Sequence, residues 1–173
     1  WGIPVVVQTL IPGDELNIVA VGDGEGGLVG CVAMKKLVIT DKGKGWAGVT
    51  IKDPALIEVT QQFMAATKWR GPCELEIIRD RRGTLHLIEI NPRFPAWVYL
   101  SVAAGMNLPQ AVVELALGRP RPPMRDYAAG QMFVRISIDQ IASIEDFQRV
   151  VTSGELTHTP GSPSSPIHHG VSL

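Results

Sequence analysis

Two short runs, Cys73 to Arg79 and Leu85 to Asn91, constrain the fold more than anything else in this 173-residue chain. Each interleaves leucine or isoleucine with charged side chains, and Arg81-Arg82-Gly83-Thr84 joins them, so the pair reads as an antiparallel hairpin. Successive strand side chains point to opposite faces. Glu74, Glu76 and Ile78 therefore share one face of the first arm, with Leu75 and Ile77 on the other. In the second arm, the same alternation groups Leu85, Leu87, Glu89 and Asn91. Even loops, two residues at Arg82-Gly83 or four from Arg81 to Thr84, set Glu76 opposite Glu89 and Glu74 opposite Asn91. A three-residue loop would put Glu76 and Glu89 on opposite faces.

Two carboxylates directly across a ladder repel each other. Leu75, Ile77, Leu85, Leu87, Ile88 and Ile90 surround them, so the site is only partly wet and its charges need cations. A hard divalent ion meets that need, because magnesium binds through one or two carboxylates plus substrate phosphates. Asn91 adds a neutral oxygen two residues beyond Glu89, and Arg93 follows through a proline-stiffened turn. The alternative is an ordinary solvated sheet face. From the residues alone the two readings stand level.

The rest of the chain supplies a scaffold. Val5 to Thr9 is a β-branched run, Ile11-Pro12-Gly13-Asp14 a turn, and Leu16 to Val21 resumes strand character. Gly22 to Gly27 reads as a hairpin loop, Leu28 to Ile39 as a long strand, and the glycine- and lysine-rich stretch Asp41 to Gly48 as a loop. A helix over 54–69 follows, with Asp53 as N-cap, Pro54 at its first position and Gly71 expected as a left-handed terminator. Leu56, Val59, Phe63 and Ala66 give it one apolar face. Helices are also expected over Trp97 to Ala104, Pro109 to Leu117 and Ser143 to Val151, and a strand over Gln131 to Ile138. Ser143 and Asp146 are spaced like a capping box. The order lacks regular strand–helix alternation, so the fold class is α+β, a mostly antiparallel sheet with flanking helices. One domain over 1–156 and a weakly structured tail over 157–173, rich in Pro, Ser, Gly and His, are expected.

Composition narrows the function. Hydrophobic residues make up 45% of the chain, which argues for a folded core, and the net charge of −1 argues against nucleic acid as a partner. No apolar run is long enough to span a bilayer. Cys31 and Cys73 form no CxxC pair and read as buried thiols of a reducing, cytoplasmic compartment. The scattered histidines argue against a His/Cys metal centre, with His168 and His169 assigned to the tail.

The run Leu87-Ile88-Glu89-Ile90-Asn91-Pro92-Arg93-Phe94 resembles the metal-binding signature of the ATP-grasp superfamily, which includes carbamoyl phosphate synthase, biotin carboxylase and D-alanine–D-alanine ligase. Glu76 stands at the family's spacing from it, and Val5 to Glu15 looks like the family's hinge strand and turn. The resemblance covers about Val5 to Gly118 and implies the C-terminal ATP-grasp lobe. By it, the Thr9 carbonyl and Ile11 amide would read the adenine edge, with Gln8 at its amino group, a position where relatives often carry an acid. Glu15 would hold the ribose hydroxyls. Glu76, Glu89 and Asn91 would coordinate magnesium or manganese on the ATP phosphates, and Arg93 would stabilise the transferring phosphoryl group or acyl phosphate. Lys35 and Lys36 reach toward phosphates in the same picture, although a plain surface role ranks above it.

The implied activity is an ADP-forming carboxylate–amine ligase. A bicarbonate-activating carboxylase or carbamoyl-phosphate-synthase-type enzyme and a nucleotide-binding module without turnover are the alternatives. The partners expected are a nucleotide and a small carboxylate. Gly22 to Gly27 lacks the lysine and following helix of a Walker-type loop. The family's phosphate-binding lobe would lie upstream, so the chain is expected to be part of a longer enzyme, inactive alone and capable of self-association through the surface that lobe would cover.

Overall fold

The computed structural model describes residues 2, 4–40, 45–119, 122–136 and 143–154. Among them a six-stranded sheet has the order β5-β4-β1-β2-β3-β6. The strands are β1 (Gly13–Asp23), β2 (Leu28–Ile39), β3 (Gly45–Ile51), β4 (Arg70–Asp80), β5 (Leu85–Asn91) and β6 (Met132–Val134). Every pairing is antiparallel, and the helices are α1 (Pro54–Thr67), α2 (Tyr99–Ala103), α3 (Leu108–Ala116) and α4 (Ile144–Ser153). This is the expected α+β architecture. The chain divides into two compact units, Trp1–Arg135 and Ile136–Leu173. The second contains α4, whose N-cap Ser143 accepts a hydrogen bond from the Asp146 amide at 3.0 Å. The tail expected over 157–173, with His158, His168 and His169, lies outside the described residues.

In the first unit β1 is central, and Leu16 to Val21 are buried throughout because both faces of the sheet are covered. Ile18, Ala20, Leu75 and Ile77 pack with Leu56 and Met64 of α1. Val19, Val21, Val32 and Met34 pack on the other side with Trp97, Leu100, Met106 and Leu108. Asp53 caps α1 by accepting from the Ala55 amide at 3.0 Å, and Arg79 of β4 pairs with the same carboxylate. The two thiols behave as anticipated: Cys31 and Cys73 are free, buried, and flank Ala20 on neighbouring strands. Burial pushes both thiols up to about 12.

Several boundaries differ from expectation. Residues 4–12 carry no strand, and Val5, Val6 and Val7 are 79–91% exposed; β-branched propensity makes no ladder without a partner strand. Gly13 belongs to β1 instead of the turn, and a Cβ there would fall 2.1 Å from the Arg79 carbonyl oxygen, so only glycine lets β1 approach β4 this closely. Gly45–Ile51 is strand, not loop up to Gly48, because pairing with β2 overrides the loop-like composition. Lys68, with φ 50°, ends α1, while Gly71 lies inside β4.

The hairpin arrives at the expected pairing by another route. Arg79 pairs with Leu85, and the Asp80 amide donates to the Thr84 carbonyl at 3.0 Å, so the loop has the odd length that should have separated the acids. Gly83, at φ 86°, closes this turn, which Asp80 stabilises by accepting from the Arg82 and Thr84 amides. One bulge then restores the register: Ile77 pairs with Leu87, Glu76 with Glu89, and Ile88 is the extra residue. Leu85 and Leu87 therefore do not share a face with Glu89 and Asn91. They pair with Arg79 and Ile77 on the side of α1, while Glu89 and Asn91 line the opposite side.

Candidate nucleotide and metal site

On the face opposite α1, apolar packing covers only part of the sheet. Beyond Val19, Val32 and Met34 the same rows continue as Asn17, Glu15, Lys36, Glu74 and Glu76, and a cleft of about 510 Å³ opens there. Its lining includes Glu15, Lys36, Glu76, Glu89, Asn91 and Arg93. The fold thus gathers the expected ribose, metal and phosphoryl residues in one place. Gln8, Thr9 and Ile11 are not in that lining; Gln8 and Thr9 are exposed and Ile11 is half-buried.

The polar groups form a continuous network. Glu74 is 4% exposed, so its carboxylate needs donors. Asn17 Nδ2 donates to it at 2.7 Å, Trp97 Nε1 at 2.8 Å and Asn91 Nδ2 at 3.4 Å, with Arg93 Nη1 3.9 Å away. Each hydrogen bond to a charged group offsets about 1.5–3 kcal/mol of the burial cost, so several together keep the anion inside. Asn91 Nδ2 also reaches Glu76 Oε1 at 3.2 Å, and Asn91 Oδ1 accepts from Arg93 Nη2 at 3.0 Å. Glu76 Oε2 and Glu15 Oε2 lie 3.1 and 2.9 Å from Lys36 Nζ. Burial works against the charge on Lys36, but hydrogen bonds to Glu15 and Glu76 outweigh it and raise its pKa above the ordinary lysine value.

Sequence reasoning missed part of this. The surface role suits Lys35, which is 40% exposed and pairs with Asp14 at 2.9 Å. It fails for Lys36, whose side chain is only 7% exposed, because the next residue on a strand faces the other way. Asn17, Glu74 and Trp97 went unassigned. An asparagine inside the apolar run Leu16 to Val21 and a glutamate with the parity of Glu76 were the available signals.

The donor set fits a hard cation. Glu76 and Glu89 oppose each other across the ladder, with Asn91 on the same face. Asn17 Oδ1, in the same cleft, is a buried acceptor with no hydrogen-bond partner among the described residues. Among the described residues no cluster of three or more His, Cys, Asp or Glu suits a metal. A cation here would take its remaining oxygens from phosphate and water, as magnesium commonly does.

The sequence that builds this antiparallel sheet and cleft places the chain in the ATP-grasp class. Within it the chain belongs to the family described as ATP-grasp in the biosynthetic pathway with Ter operon, whose sequence profile matches residues 3–140. The carbamoyl phosphate synthase large chain of Thermoanaerobacter sp. (strain X514) is 27% identical over 126 residues, covering 68% of this chain and 12% of that protein. The same enzyme of Caldanaerobacter subterraneus subsp. tengcongensis is 28% identical over the same length and shares. The chain thus spans about an eighth of the curated relatives it matches. Among solved structures, Campylobacter jejuni biotin carboxylase has a TM-score of 0.57 at 17% identity, covering 66% of this chain and 28% of that one. The biotin carboxylase domain of Hydrogenobacter thermophilus 2-oxoglutarate carboxylase, in complex with MgADP and bicarbonate, has a TM-score of 0.56 at 16% identity, covering 69% and 28%. At those identities the likeness establishes the shared fold.

Proposed function

We propose that the chain is the ATP- and magnesium-binding lobe of an ADP-forming carboxylate–amine ligase that works through an acyl phosphate. The observation that carries this reading is the pairing of Glu76 with Glu89 on the cleft face, with Asn91 and Arg93 beside them. Glu76, Glu89 and Asn91 would hold magnesium or manganese. When bound, the ion would neutralise charge on the ATP phosphates. Arg93 would face the transferring phosphoryl group, and Glu15, on the same cleft wall, would accept from the ribose hydroxyls. Gln8, Thr9 and Ile11 would meet the adenine edge once the exposed segment before β1 gains a partner strand. A carboxylate cannot expel oxide, whereas an acyl phosphate has a good leaving group that an amine can displace. The protein's part is to orient the reactants and stabilise charge.

A second reading, in which bicarbonate is the activated carboxylate, draws on the carbamoyl phosphate synthase relatives and the bicarbonate complex among the structural neighbours. Because those relatives are far longer, the reaction is assigned here to a longer enzyme containing this lobe, and the 173-residue chain by itself is expected to release no ADP. ADP release from an enzyme containing this chain, tested with bicarbonate and with panels of carboxylates and amines, separates the two readings. Glu89→Gln in that enzyme should lower turnover on the order of 10²–10³-fold, as loss of a preorganised charge-stabilising group does. Wild-type turnover by this variant at saturating magnesium would refute the metal role, and nucleotide binding with no substrate-dependent ADP release would leave a non-catalytic module.

A further inference from the structure

We propose that Lys36 is a resident counter-ion of the metal site, and that a divalent cation enters by exchange with its ammonium group. This rests on the reading of Glu76, Glu89 and Asn91 as the metal ligands. Lys36 Nζ is held 3.1 Å from Glu76 Oε2 and 2.9 Å from Glu15 Oε2 by a side chain that is almost wholly buried. Glu76 Oε1 accepts from the Asn91 amide and Asn91 Oδ1 from Arg93. Glu76 and Asn91 are therefore already engaged within the lobe, and a cation reaching their oxygens must displace these donors.

Charge and geometry favour Lys36 as the group that yields. An ammonium about 3 Å from a ligand oxygen repels an incoming divalent ion far more strongly than a neutral amide does. Lysine is also a compact point charge on a flexible stem with rotatable donors, so it can leave one carboxylate and keep another. Glu15 is that second carboxylate, and it retains the displaced ammonium on the cleft wall. Because Glu15 is also the proposed ribose acceptor, the exchange links the nucleotide and metal ends of the site. Whatever engages Glu15 changes the hold of Lys36 on Glu76, and the coupling acts equally in reverse.

The test is a Mn²⁺ titration of the 173-residue chain without nucleotide, following free Mn²⁺ by electron paramagnetic resonance. Lys36→Met and Lys36→Gln, each checked for folding by circular dichroism, should bind Mn²⁺ on the order of tenfold more tightly than wild type, because a competing positive charge is gone. Mn²⁺ should also raise their melting temperatures more than it raises that of wild type. Equal or weaker binding by folded variants overturns the exchange. Should neither variant fold, wild type decides: the Lys36 side-chain ¹⁵N signal must move as Mg²⁺ saturates the site, and an unmoved signal overturns the proposal. Glu89→Gln separates this failure from that of the site reading. If Glu89→Gln abolishes Mn²⁺ binding while Lys36→Met leaves it at the wild-type level, only the exchange is wrong. If Glu89→Gln leaves Mn²⁺ binding unchanged, the metal site itself is wrong; if wild type and the Lys36 variants bind none, the exchange in the nucleotide-free lobe is wrong.

Discussion

Glu74 and Leu75 are neighbours in β4 and both are buried, yet they lie in opposite kinds of surroundings. Leu75 faces α1 in an apolar cluster with Leu56, Met64 and Ile77, where side chains are held by shape. Glu74 faces the cleft, where it is held by direction: the indole of Trp97, the amides of Asn17 and Asn91 and the guanidinium of Arg93 all turn toward it. One face tolerates approximate substitutes of similar volume. On the other, removing a single partner leaves a buried charge short of donors. The same strand thus supplies a scaffold on one side and the anion of a charge network on the other, where Arg93 and Trp97 reach it from the segment between β5 and α2.

That contrast can be broken in measurable steps. Leu75→Ala should have the largest effect, lowering the unfolding free energy by about 2–5 kcal/mol, because it opens a cavity where neighbours collapse poorly. Urea denaturation measures it, and a loss well below that range would mean the α1 face is loosely packed. Trp97→Phe comes next. It keeps most of the apolar ring but removes the indole donor 2.8 Å from Glu74, and should cost about 1.5–3 kcal/mol. Little change there would show that Asn17, Asn91 and Arg93 satisfy the carboxylate without the indole. Glu89→Gln should move stability least, within about 0.5 kcal/mol, since Glu89 is exposed. A larger loss in the same urea assay would make Glu89 a structural residue and weaken its assignment as a ligand.

Period-two alternation was enough to put Leu75 and Ile77 on one face of β4 and Glu74 and Glu76 on the other. It was also enough to pair Glu76 with Glu89, but through a loop parity the structure does not use. Alternation holds only while the ladder is unbroken, and Ile88 breaks it. A conflict was visible in the sequence: strict alternation put Leu85 and Leu87 on the face of Glu89 and Asn91, mixing side chains that belong in different surroundings. The bulge sorts them. Lys36 was harder to read, because a lysine pair at the end of a strand looks solvated until the acids of two other strands are brought beside it. The segment from Val5 to Thr9 failed for the opposite reason. Its strand propensity is local, while a strand is a partnership, and the described residues provide no partner.

The extra residue at Ile88 gives the hairpin something like a reading frame. The turn at Arg81 to Gly83 is one residue out of phase with the acids, and the bulge is the compensating insertion that brings them back. Pairing Ile88 with Glu76 in an unbroken ladder would carry Glu89 and Asn91 to the side of α1, whatever their chemistry. Deleting Ile88 with the turn unchanged would instead make Glu89 the residue after Leu87, still opposite Glu76 and over the cleft. β5 can hold such a correction because, among the described residues, it is an edge strand that keeps step with β4 alone. The alignment of Glu76 with Glu89 is therefore stored in a count of residues as much as in their identities.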